Sequence, residues 1–79
     1  MKLKEIEAVV EALLFISGEA LPISVIAQTI ELDKATTKAI IMTLAEKYES
    51  DKRGIRIIEI DDGYQMCTAA ECFEFIRNM

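Results

Sequence analysis

Few side chains in this sequence could do chemistry, and their spacing argues against most of it. Cys67 and Cys72 are the only thiols, and they are not in a Cys-x-x-Cys pair. No histidine is present to complete a zinc site or to serve as a general base near neutral pH. Cys67 falls in a strand pattern and Cys72 in a helical one, with no base placed to draw off either proton. Both read as small, partly buried thiols in a reducing compartment. Glu46 and Glu49 share one helical face, but two carboxylates on an open surface are simply solvated. Lys52, Arg53 and Arg56 form a small basic cluster, which reads as a solvated strand entry before it reads as a phosphate clamp. No glycine-rich phosphate loop or paired metal motif occurs. The inventory predicts a chain that is not an enzyme, with no cofactor, no metal and no small-molecule substrate.

Charge narrows the partners. The chain has 79 residues, with 14 acids against 9 bases and a formal net charge of −5. Such a chain repels phosphate backbones and anionic lipid heads over a Debye length of about 8–10 Å. The longest uncharged run, Ala12 to Gly18, is too short to span a bilayer. No charged-then-apolar leader opens the chain. These features predict a soluble, cytoplasmic protein without a membrane partner. The length fits one domain. Its 52% hydrophobic content is high for a small domain, which buries only part of its surface, so some apolar surface is expected to meet a partner.

The elements that must position these residues follow from periodicity. A first helix is predicted from Lys4 to Ser17, ended by Gly18. Ile6, Val9, Val10, Leu13 and Ile16 form its inward face, opposite a narrow polar stripe of Lys4, Glu7 and Glu11. Ala8, Ala12 and Phe15 widen the apolar arc on one side, and Leu14 widens it on the other. That arc is about twice the usual width of a little over 100°. Leu21-Pro22 reads as an extended link. A second helix runs from Ile23 to Glu31, with Ile23, Ile26, Ala27 and Ile30 on one face. Asp33 caps a third helix from Lys34 to Ser50, with Ile40, Ile41, Leu44 and Tyr48 inward. The last two make a helix-turn-helix unit. Ala45 falls on the outward face with Lys38, Met42, Glu46 and Glu49.

A β-hairpin follows, with Asp62-Gly63 as its two-residue turn. That turn sets Ile60 opposite Gln65 and Ile58 opposite Cys67 on one face, and Glu59 opposite Met66 and Ile57 opposite Thr68 on the other. Apolar residues occupy both faces, so the pattern leaves the inward one open. A last helix opens at Thr68 or Ala69 and carries Cys72, Phe73, Phe75 and Ile76. The order predicts an α+β, mainly α, winged helix. The chain is expected to be a single domain cut from something longer.

Two segments carry a resemblance. Glu11-Ala-Leu-Leu-Phe-Ile-Ser-Gly-Glu-Ala-Leu21 resembles the opening helix and loop of the segregation and condensation protein B family, ScpB. Arg53-Gly-Ile-Arg-Ile-Ile-Glu-Ile-Asp-Asp-Gly-Tyr-Gln-Met-Cys-Thr68 resembles that family's wing, at matching separation. The resemblance spans Lys4 to Ile76. It implies a non-catalytic partner of the Smc ATPase and the ScpA kleisin in bacterial chromosome condensation and segregation. It implies two winged-helix domains in tandem, the first associated with homodimer formation and the second with holding ScpA. This chain resembles the first. The family often has glycine near Glu31 and Ser or Thr at Asp33, and it starts the third helix with acids where this chain has Lys34-Ala-Thr-Thr37.

Two functions compete for this shape. In the first, the domain pairs with its own copy and serves the Smc–ScpA–ScpB complex at the nucleoid. Ala8, Ala12, Phe15, Leu14, Phe73 and Ile76 are then the candidate interface. Alternatively, Ala8, Ala12 and Phe15 pack on the last helix of their own domain. The second function is a DNA-binding transcription regulator. There the third helix would enter the major groove, with Lys34, Lys38, Arg53 and Arg56 as candidate contacts. Base reading relies mainly on Arg, Lys, Asn and Gln, and only Lys38 lies on the outward face of that helix. Glu46, Glu49 and the Asp61-Asp62 wing tip oppose phosphate contact, so direct nucleic-acid binding is disfavoured.

Overall fold

The computed structural model describes residues 1–79. α1 (Leu3–Ser17) leads through β1 (Leu21–Pro22) into α2 (Ile23–Ile30) and α3 (Lys34–Ser50). The wing is β2 (Ile55–Ile60) and β3 (Gly63–Thr68), followed by a 3₁₀ turn (Ala70–Cys72) and α4 (Phe73–Asn78). The strands form one antiparallel sheet in the order β1-β3-β2. This is the α+β, mainly α, winged helix.

The helix ends follow from local chemistry. Asp33 accepts from the Thr36 N–H at 2.9 Å and from its hydroxyl at 2.7 Å, which caps α3. Three helices end through residues in the left-handed region: Gly18 after α1, Glu31 after α2 and Lys52 after α3. At the end of α2, the Glu31 N–H donates to the Gln28 carbonyl and the Leu32 N–H to the Ala27 carbonyl. Arg53 and Lys52 repeat that pattern on Tyr48 and Glu49. Only α1 uses glycine, the residue that adopts this conformation without a steric penalty.

Val10, Leu14, Ile26, Ile30, Ile41, Leu44, Ile57 and Tyr64 form one core beneath the helices and the sheet. Thr37 is fully buried beside it, and its hydroxyl donates to the Asp33 carbonyl at 2.8 Å. Ala45, expected outward, is half-buried against the core, because β2 packs over that side of α3. Ile16, expected inward, is 79% exposed.

The hairpin turns one residue earlier than the Asp62-Gly63 reading. Ile60 pairs with Gly63, Ile58 with Gln65 and Ile57 with Met66, and Asp61 takes the positive φ of 53°. The reason lies in β1, which is a strand and not a bare link. It pairs Leu21 with Tyr64 and Pro22 with Gly63. A Cβ at Gly63 would sit 2.7 Å from the Leu21 carbonyl oxygen, so this glycine serves close strand approach. Asp tolerates the left-handed turn position in its place. The register differs by two, so every side chain keeps its predicted face. The inward face carries Ile57, Tyr64 and Met66, while Ile58 and Ile60 stay exposed.

Candidate protein-interaction face

The buried side of α1 is turned toward Glu7 relative to the hydrophobic wheel. Glu7, Val10 and Leu14 are its buried residues. Both Glu7 carboxylate oxygens accept from Lys47 Nζ, at 3.0 and 2.9 Å, which lets an acid sit at the core edge beside α3. Leu14, a candidate interface residue from the sequence, is only 1% exposed. It is a core residue, packed with Val10 in the main cluster on the flank where Glu7 meets Lys47.

The turn leaves the opposite flank uncovered. Ala8, Ala12, Phe15 and Ile16 are exposed, Phe15 at 76%. No residue of α4 is buried, and Phe73, Phe75 and Ile76 add exposed apolar surface there. Exposed large apolar side chains at this density mark interaction surfaces. Phe15 and Ala12 also line a hollow of about 380 Å³, with Glu11 behind them, Tyr48 and Arg53 at the end of α3, and Ile55 and Met66 of the wing. The Tyr48 hydroxyl donates to the Glu11 carboxylate. Burial first, then the hydrogen bond to Glu11 and the Glu11 charge, push that hydroxyl well above the ordinary tyrosine range. It therefore stays protonated and keeps donating.

Two of the four basic candidates, Lys38 and Arg56, are ion-paired. Lys38 Nζ lies 3.7 Å from Glu59. Arg56 bonds Glu71 at 2.9 Å and also donates to the Arg53 carbonyl. Lys34 is exposed at the start of α3, while Glu46 and Glu49 stand exposed further along the same helix. The structure does not gather Lys34, Lys38, Arg53 and Arg56 into one phosphate-facing patch. Cys67 and Cys72 are half-buried, unpaired thiols. Ile16 and Phe75 are exposed apolar residues absent from the sequence-based interface set. Their signal was present in the wide apolar arc of α1 and in the aromatic content of the last helix. No helix is long and apolar enough to cross a membrane.

Comparison with known proteins gives the shape a lineage. The profile of the segregation and condensation complex subunit ScpB matches residues 8–79. Segregation and condensation protein B of Lachnoclostridium phytofermentans is 45% identical over 76 residues, which is 96% of this chain and 40% of that protein. The protein of the same name from Ruminiclostridium cellulolyticum is 38% identical over 79 residues, 100% of this chain and 42% of its own length. This chain thus spans about two-fifths of the curated relatives it matches. A crystal structure described as a dimer of the ScpB N-terminal domain complexed with ScpA peptide superposes with a TM-score of 0.91 at 32% identity. It covers 96% of this chain and 95% of that one. ScpB from Mycobacterium tuberculosis shares the fold at a TM-score of 0.93 and 20% identity, over 99% of this chain and 49% of its own. On the profile match and these identities, the chain belongs to the ScpB family of segregation and condensation complex subunits.

Proposed function

We propose that this chain is the first of two winged-helix domains of a ScpB-type protein and acts by protein contact. Two copies pair through the exposed flank of α1 (Ala8, Ala12, Phe15 and Ile16), joined by Phe73 and Ile76 of α4. The pair is an architectural, non-catalytic part of the Smc–ScpA–ScpB complex, which condenses and segregates the bacterial chromosome in the cytoplasm. The observation that carries this reading is the uncovered apolar flank of α1, whose Phe15 is 76% exposed. A dimer with bound ScpA peptide in a relative of the same length and 32% identity supports it.

Light scattering on the chain, alone and mixed with ScpA, tests the proposal. A dimer mass alone, and co-elution with ScpA, are the expected results. A monomer that ignores ScpA would refute it. The DNA-regulator reading has no comparable support, since α3 presents exposed Glu46 and Glu49 and the basic candidates are not gathered into one patch. Tight duplex binding with a steep salt dependence would be needed to revive it.

A further inference from the structure

A second surface shares no residue with the α1 hollow. α3 and β2 bound a groove of about 420 Å³, floored by Met42, Ala45 and Ile57, with Ile58 at its rim on the edge strand. Glu46, Glu49, Glu59 and Glu71 line it, against one cation, Arg56. That cation is already bonded to Glu71. Tyr64 closes the floor at 4% exposure, and its hydroxyl is shut away from water with no hydrogen-bond partner. Leaving such a group unpaired is unfavourable, and a partner restores what the free domain lacks. Lys38 stands 3.7 Å from Glu59 with both side chains about half exposed, so this ion pair is loose and replaceable.

We infer that the α3–β2 groove docks a basic segment of a protein partner, a peptide whose Arg or Lys side chains meet Glu46, Glu49 and Glu59 while an apolar side chain covers Met42. An arriving guanidinium displaces Lys38 from Glu59, and the side-chain shift that this allows opens the Tyr64 hydroxyl oxygen to accept from it. Charge complementarity selects this occupant. A duplex would set its phosphates against the carboxylates, and a second copy would bring another acidic groove and a chain of net charge −5. The groove thus occupies the face that DNA-binding winged helices turn to nucleic acid, with the opposite sign of charge.

Titration of the ¹⁵N-labelled chain with a short peptide of alternating arginine and leucine, and with its Arg→Glu counterpart, tests this. The arginine peptide is expected to shift the amides of Met42, Glu46, Glu49, Ile58 and Glu59, and the glutamate peptide to shift none of them. Glu46→Gln combined with Glu49→Gln should weaken binding severalfold and flatten its salt dependence. Tyr64→Phe should bind about fivefold more weakly, the loss of one hydrogen bond. Its unfolding midpoint should hold or rise, because the hydroxyl has no partner to lose. A purely structural hydroxyl would give the reverse. Shifts scattered over Glu5, Glu19 and Glu74 would mean general attraction between opposite charges and would overturn the proposal. So would equal binding by Tyr64→Phe, the same shifts with duplex DNA, or the same shifts on raising protein concentration alone.

Discussion

At the scale of single residues, backbone conformation and charge pairing decide what a side chain does here. Glu31 ends α2 at a φ of 60°, a conformation that disfavours any residue with a Cβ. Glu31→Gly should raise stability by about 0.5–1 kcal/mol, after the added freedom of the unfolded glycine offsets part of the relief. Urea unfolding checks this, and a loss of stability would show that the corner is not strained. Asp33 works through its charge. The Thr36 hydroxyl first, then the Thr36 N–H, hold its carboxyl below the ordinary 3.8. A carboxyl lowered by folding stabilises fully above its unfolded value, and that contribution is lost as pH falls through the folded value. The gap in urea midpoint between the wild type and Asp33→Ala should therefore be widest above pH 3.8 and shrink below it. The Asp33 cap was legible in the sequence, because its partner lies three residues away. The burial of Glu7 was not, because its partner Lys47 comes 40 residues later. Thr37 was missed for a different reason: it reads as polar, but its hydroxyl is satisfied locally by the Asp33 carbonyl, so the side chain packs as an apolar group would.

At the scale of elements, Gly63 ties the sheet together. β1 is two residues long, and its pairing with β3 depends on the missing side chain at Gly63. The Ile23 N–H then donates to the Asp62 carbonyl at 2.8 Å, fixing the start of α2 to the wing. Gly63→Ala meets backbone atoms that cannot rotate away. It should cost about 2 kcal/mol by overpacking and expose the β1–β3 amides to faster hydrogen exchange. Unchanged protection of Tyr64 would contradict this role. The helices were readable because hydrophobic spacing and caps act within a few residues. The hairpin itself was readable for the same reason. Its turn position and the third strand were not, because they depend on where Leu21 and Pro22 pass, some 40 residues from the wing in sequence. The register differed by an even number, so the division of faces survived.

At the scale of the whole molecule, the core is small and the uncovered apolar surface is large. Only 13 of 79 residues are buried, while Phe15, Ile16, Phe73, Phe75 and Ile76 stay outside. The radius of gyration is 12.9 Å, and one axis extends to 41 Å against 22 and 18 Å for the others. A compact domain of this length would have a radius of about 11.6 Å. The excess follows from that long axis. The wide apolar arc announced that face in the sequence, but that the last helix leaves it uncovered needed the fold. The central claim is that α1 is a pairing surface and that Phe15 belongs to it, not to the core. Sedimentation equilibrium of the wild type and Phe15→Ala at high micromolar concentration, with urea unfolding of both, tests it most directly. The expected result is a dimer for the wild type and a shift toward monomer for the variant, with unfolding of the isolated monomer changed by less than about 0.5 kcal/mol, as for a surface substitution. A wild-type chain that stays strictly monomeric would contradict the claim, as would a variant whose monomer fold fails together with its dimer.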